Sequence, residues 1–341
     1  MCLSLALPLL LAVWALPFTA SAQALIAAAD EMAHRSVSEV LWRMHEASRR
    51  RAYTGTLVVS SGAGMSSAKV SHVCDGEQQM ERVESLTGTP RTTFRHNDEV
   101  ITLWPQSRMA IAEKRESLGS FPSLLKTPDA SVDQYYSANA LGSERVAGLD
   151  TDVLRLQPRD SLRFGYRIWS EKRTGLVLKM QTLDAQGKVL EQVAFSDLQL
   201  DAPVNMAQLK REMAHTEGYR LQSPTLVKTT PAAEGWRLSR EVPGFHAMSC
   251  HRRLAAATTT NKAPPAVTVQ WAFSDGLATV SVFIEPLDLQ RHGPEGVQAM
   301  GATHVLTRRL TARGGLWWLT VVGEAPTETL QAFARAMERL P

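Results

Sequence analysis

The chain is poor in the residues that most often announce chemistry. Only three of its 341 residues are cysteine, at positions 2, 74 and 250. Neither a disulfide framework nor a cysteine-rich metal cluster can therefore organise the fold. No excess of one charge exists either: 37 basic residues stand against 34 acidic ones, a net charge of +3. That is too little for an electrostatic nucleic-acid binder. With 44% hydrophobic and 21% charged residues, fibrous, collagen-like, coiled-coil and multispan membrane classes are excluded, while enough apolar material remains to bury a core. The local signatures of catalysis are missing too. No G-x-S-x-G elbow, H-E-x-x-H, C-x-x-C, Walker loop or G-x-G-x-x-G occurs. The nine histidines are scattered, with no pair at i, i+2 or i, i+4, so metal ligation has no local support. The sequence points to a binding protein rather than an enzyme, and implies no cofactor.

Residues 1–22 hold no Asp, Glu, Lys or Arg; Leu5 to Phe18 is almost wholly apolar, and Ala20-Ser21-Ala22 precedes Gln23. An apolar stretch followed by an A-x-A site is read as a cleaved secretory signal peptide over 1–22, although the basic n-region is absent. The expected mature chain is exported, to the periplasm, and keeps Cys74 and Cys250. Both are read as buried or fortuitous, with a Cys74–Cys250 disulfide as the alternative. Cys250 and His251 are neighbours on an expected strand and point to opposite faces, so they do not form a nucleophile and base.

Ser36-Val37-Ser38-Glu39 is a capping box, and Val37, Val40, Leu41 and Met44 follow on one helical face. His45-Glu46 on that helix is expected to be solvated. From Tyr53 the apolar period becomes two. Short β-branched runs separated by Asp75-Gly76, Gly88-Thr89-Pro90 and Asn97-Asp98 predict an antiparallel meander. A short helix is expected around Val132 to Ala138, after which strands resume and bring the first domain, 23–206, to about ten. Residues 207–230 are polar and basic and read as a linker. A smaller α+β domain, 231–341, closes with a helix capped by Thr327 whose inner face is Leu330, Phe333, Ala334 and Met337. Net charge is −1 over 23–206, +2 over 207–230 and +2 over 231–341.

The predicted fold class is thus α+β. A large antiparallel sheet wrapped over helices has a concave apolar interior that can accept an acyl chain. Phe121, Leu124, Leu125, Tyr135 and Tyr136 would cover that interior, with strand residues Trp104 and Trp169 lining it. The same side chains fit a plugged core equally well.

Several ordered pieces carry a further reading. They are Tyr53-Thr54-Gly55-Thr56, Arg145-Val146-Ala147-Gly148, Pro158-Arg159-Asp160, Arg163-Phe164-Gly165-Tyr166 and Thr174-Gly175-Leu176 in the first domain. Val242-Pro243-Gly244-Phe245, Asp275-Gly276-Leu277, Ser281 to Pro286 and Val321 to Pro326 follow in the second. In order and spacing the chain resembles the RseB/MucB family of periplasmic negative regulators of a sigma-E (AlgU-type) envelope-stress factor.

The resemblance implies a LolA/LolB-like half-barrel as the lipid-sensing first domain and a smaller partner-binding second one. It implies that the protein binds the periplasmic domain of an RseA/MucA-like anti-sigma factor and shields it from site-1 proteolysis. Lipid or a lipopolysaccharide fragment would release it. Arg252, Arg253, Arg308 and Arg309 are the candidate partner contacts, although paired arginines on strands also keep sheet edges soluble. A homodimer exchanging domains through the linker is a further expected assembly. A periplasmic lipid or lipoprotein carrier is the alternative function.

Overall fold

A computed structural model describes residues 36–62, 64–114, 121–122, 125, 132–254 and 267–341. The expected signal peptide, Leu124 and the Ala/Thr/Pro-rich stretch 255–265 lie outside the described residues.

Helix α1 (Val37–Arg50) begins with the expected capping box, Ser36 Oγ accepting from the Glu39 amide at 3.1 Å while the Glu39 carboxylate accepts from the Ser36 amide. Leu41, Met44 and Ala47 face the sheet. His45 does not sit in water as expected: only 3% of it is exposed. It stacks on Trp42 at 5.3 Å. Position 45 lies one residue from Met44 and four from Leu41, on the flank of the inward face. Burial pushes its pKa down to about 4.

The first sheet has twelve strands and grows outward from its centre. On one side a meander runs through β1 (Tyr53–Ser61), β2 (Gly64–Cys74), β3 (Gln79–Ser85), β4 (Thr92–His96), β5 (Glu99–Trp104) and β6 (Met109–Lys114). On the other, β7 (Tyr136–Val146), β8 (Leu149–Pro158), β9 (Gly165–Glu171), β10 (Val177–Leu183) and β11 (Val189–Leu200) return until β11 pairs with β1. The β1–β11 join is close. A side chain at Gly55 would place its Cβ 2.5 Å from the Asp197 carbonyl oxygen and 2.9 Å from the Phe195 ring, so only glycine fits. A register shift at Thr56/Leu57 bends the sheet here.

The short helix α2 (Val132–Tyr135) ends earlier than expected, and Tyr136 already opens β7. Sheet pairing with β8 overrides the local helix signal there.

Residues 207–230 are not a bare linker. Helix α3 (Met206–Ala214), capped by Asn205, lays Leu209 and Met213 on Met80, Phe94, Leu103 and Ala110 of the first sheet. β12 (Arg220–Gln222) then runs parallel to β6 at that sheet's edge. Three residues later β13 (Thr225–Lys228) pairs with β15 (His246–Leu254) at the edge of a second sheet. The segment looked like a linker because edge strands are half-solvated and read as polar.

The second sheet has seven strands in the order β13-β15-β16-β17-β20-β19-β18, with β16 (Val267–Ser274), β17 (Thr279–Pro286), β18 (Gly296–Met300), β19 (Thr303–Ala312) and β20 (Gly315–Gly323). Helix α4 (Thr327–Ala336) packs Leu330, Phe333 and Ala334 into its core. Thr327 does not cap this helix. Pro326 holds the cap position, and the Thr327 hydroxyl turns to His304 Nδ1 at 3.3 Å. Met337 is buried as expected but belongs to strand β21 (Met337–Arg339), which pairs with β14 (Trp236–Leu238).

Candidate functional site

Most of the expected lipid-lining residues come together. Leu125, Val132 and Tyr136 pack with Leu41 and Met44 of α1, while Phe121 bridges this cluster to one containing Trp169, Tyr53 and Phe195. Leu125, Tyr136 and Trp169 are enclosed by protein. The Trp169 indole N–H donates to Glu144 Oε2 at 2.8 Å, and Lys179 Nζ lies 4.2 Å from its ring centre. Trp104 stands apart, on β5 near the opposite edge of the sheet and opposite Met109.

The four expected partner arginines do not form one patch. Arg252 and Arg253 are on β15 and Arg308 and Arg309 on β19, four strands away, which is about 19 Å at the usual strand spacing. Three already hold carboxylates. Arg252 grips Glu234 at 2.8 Å, Arg253 reaches Glu113 of the first sheet at 3.6 Å, and Arg309 faces Glu295 at 3.7 Å.

Residues that composition and spacing left without a role instead build the seam between the two sheets. Leu162, just after β8, packs on the second core, and Leu277, in the β16–β17 turn, packs on the first. Between these crossed leucines lies Arg163, whose side chain is wholly enclosed. Its Nη1 donates to the Asp160 carboxylate and its Nη2 to the Pro243 carbonyl. Its Nε sits 3.0 Å from Asp275 Oδ2, a charge contact without hydrogen-bond alignment. The Tyr135 ring covers one side of the guanidinium at 4.1 Å, and Phe245 lies 5.1 Å from it. Gly244 makes this approach feasible. Its φ is +74°, and a Cβ there would lie 2.0 Å from Arg163 Nη2.

Asp275 is equally enclosed. Its Oδ1 accepts from the Leu277 and Ala278 amides at 3.0 and 2.7 Å, closing the Asp-Gly turn. Its Oδ2 accepts from the Tyr136 hydroxyl at 3.1 Å. Burial pushes the Asp275 carboxyl above its ordinary value, and the two amides and Arg163 oppose that rise. Burial and the nearby Asp275 charge push the Tyr136 phenol up. Thr329 at the start of α4 donates to the Leu162 carbonyl at 2.6 Å, and Phe164 meets His304 edge-on at 5.5 Å. The sequence signal for this node was present in Pro158-Arg159-Asp160, Arg163-Phe164, Val242 to Phe245 and Asp275 to Leu277. Each piece alone is weak, and they meet only in the folded chain.

A second, open seam lies at the sheet edges. Residues 220–228 run from the edge of one sheet to the edge of the other through β12 and β13. Leu221 and Val227 are exposed there. Arg108, Arg220 and Lys228 are exposed as well, with no acidic partner among the described residues. Arg220 N–H bonds inward to the Arg108 carbonyl, and Thr229 N–H bonds inward to the Cys250 carbonyl. Strand alternation therefore turns the backbone of Leu221, Leu226 and Lys228 outward.

Two family domains account for this arrangement. The MucB/RseB N-terminal domain matches residues 36–213 and the MucB/RseB C-terminal domain matches residues 230–338. The chain belongs to the MucB/RseB family. Its curated relatives include the sigma factor AlgU regulatory protein MucB of Pseudomonas aeruginosa, 28% identical over 87% of this chain and 89% of the relative. The sigma-E factor regulatory protein RseB of Escherichia coli is 23% identical over 91% and 93%. A crystal structure of MucB in complex with MucA(peri) is similar at a TM-score of 0.66 and 26% identity, covering 89% of this chain and all but 1% of that one. MucB/RseB proteins are regulators that bind, not a family of enzymes. No helix among the described residues is long and apolar enough to cross a membrane.

Proposed function

We propose that this member of the MucB/RseB family is exported by its first 22 residues and works in the periplasm. There it binds the periplasmic segment of a single-span, RseA/MucA-like anti-sigma factor and shields it from the site-1 protease. Lipid or a lipopolysaccharide fragment entering the first domain releases it. The observation that supports the reading best is the similarity to a MucB structure solved with MucA(peri) over 89% of this chain.

On this reading the open seam receives the partner. An extended segment can add along 220–228 by main-chain pairing. The unpaired Arg108, Arg220 and Lys228 favour acidic side chains on it. Because that edge belongs to both sheets, the partner senses how the two domains are placed.

Capture of the full-length protein on an immobilised anti-sigma periplasmic segment tests both levels. Wild type should bind, added lipopolysaccharide should elute it, and Arg220→Glu with Lys228→Glu should weaken binding several-fold at low salt. No binding by wild type removes the regulatory reading. Equal binding by the double variant moves the partner site elsewhere, first to Arg308. A carrier would instead leave a periplasmic extract with stoichiometric lipid in native mass spectrometry.

A further inference from the structure

We infer that Arg163, Asp275 and Tyr136 form the link through which the interior of the first domain sets the position of the second. The inference rests on the two-site regulatory reading above and names the device that would connect its sites.

Each member belongs to a different part of the fold. Arg163 follows β8 in the first sheet, Asp275 sits in the β16–β17 turn of the second, and Tyr136 begins β7 directly after α2. Helix α2 is itself part of the first interior. Val132 is buried against Leu41 and Leu125, and Asp133 Oδ1 accepts from the Ser38 amide in the first turn of α1 at 3.3 Å. Tyr135 and Tyr136 thus face two ways. Their backbone is fixed by the first interior, while the Tyr135 ring covers Arg163 and the Tyr136 hydroxyl holds Asp275.

An acyl chain that displaces Val132 or Tyr136 from beneath α1 must also withdraw that ring and that hydroxyl. What remains is an incompletely satisfied ion pair in a dry site, which is costly. Separating the domains lets water reach both charges, so the strained closed state gives way to an open one. The buried pair therefore makes the seam two-state: stable when fully enclosed, and unstable when partly exposed. Gly244 adds to this, since its close approach to Arg163 and Tyr135 leaves no slack for a half-displaced arrangement.

Hydrogen exchange on the full-length protein tests the link through reciprocity, because coupling must act equally in both directions. Asp275→Asn, a change in the second domain, should raise exchange at 132–140 of the first by about tenfold, the size expected for losing a hydrogen-bonded charge. Tyr136→Phe removes only a hydroxyl and keeps the core filled. It should raise exchange at 274–278 of the second domain. The double variant should add little to either single one. Small-angle scattering should show a wider separation of domains in Asp275→Asn. Thr329→Val, which also crosses the seam but does not touch α2, should leave 132–140 protected.

Exchange changes confined to the mutated domain would overturn the inference. So would additive effects, or an equal response at 132–140 from Thr329→Val. None of these measurements uses the anti-sigma segment, so failure of the link and failure of the proposed function are read separately.

Discussion

The two seams that join the sheets are opposites. Around Arg163 the core of the contact is dry: the guanidinium and the Asp275 carboxylate are both fully enclosed, and two leucines interlock across the boundary. Along 220–228 most side chains meet water, and the Arg253–Glu113 ion pair that crosses nearby leaves Arg253 39% exposed. The difference teaches that domain position and partner access are handled by separate chemistries. A buried charge pair contributes little net stability but penalises every incomplete arrangement, which makes it a device for specifying geometry. An exposed edge has almost no energetic stake in geometry and keeps its donors and acceptors available. A protein that must hold two domains in one relation and still release a partner can use both.

The comparison breaks most visibly at Arg163. Replacing it with Met leaves the Asp275 carboxylate without a cation beside it in an enclosed site. Urea unfolding should show a loss of about 3–5 kcal/mol. Adding Asp275→Asn should recover part of that loss, because the amide oxygen still accepts from the Leu277 and Ala278 amides while no lone charge remains in the site. A single-variant cost below about 1 kcal/mol would mean that water reaches the pair, and that the two seams differ less than their geometry says.

Acid separates the interior from the open edge in a second way. His45 has a folded pKa of about 4, against an ordinary value of 6.5. The unfolded chain therefore takes up the proton first as pH falls. The His45 contribution is constant above about pH 6.5 and is lost toward pH 4, by about 3 kcal/mol. Thermal melts from pH 7 to pH 4 should show this slope, and His45→Gln should flatten it. An unchanged slope in that variant would assign the acid response to other groups.

How far such features were legible in the sequence depends on where their signals lie. The β1 to β6 meander shows itself because β-branched runs alternate with Asp75-Gly76 and Asn97-Asp98, so every signal is local. The α1 capping box is local too, and the structure reproduces it. β7 does not show itself. Ser137-Ala138-Asn139-Ala140-Leu141-Gly142 carries weak strand propensity, and only pairing with β8 fixes it. β18 is hidden in the same way, as Gly296 to Met300 is entirely exposed and has no buried face to set a period. The interior clusters holding Leu125 and Tyr136, and Trp169, were readable as apolar residues, but their exclusion of Trp104 required the strand order. Asp275 and Arg163 were visible as members of family-like pieces. Their partnership was not, because no period or spacing connects residues so far apart in the chain.

A smaller effect tests whether the dry seam depends on its charges alone. The Thr329 hydroxyl donates across it to the Leu162 carbonyl at 2.6 Å. Thr329→Val keeps the shape and leaves that carbonyl unpaired, which should cost about 1 kcal/mol in urea unfolding. A cost comparable to that of Arg163→Met would spread the seam's stability over its ordinary hydrogen bonds.

The smallest stability change should come from the open seam, where binding and folding are expected to separate. Arg253 and Glu113 are 3.6 Å apart, and Arg253 is more than a third exposed, so Arg253→Ala should alter stability by no more than about 0.5 kcal/mol. Its effect on an acidic partner should be larger, because one positive charge is lost beside the edge that receives it. Glu113→Gln should do the reverse, freeing Arg253 and tightening binding a few-fold at low salt. Both changes should fade as ionic strength rises toward about 1 M, where the screening length shrinks to about 3 Å. A binding loss in Arg253→Ala that persists at high salt would mean that the aliphatic stem of the arginine makes the contact. The open seam would then recognise shape as the buried one does, and the contrast between them would rest on exposure alone.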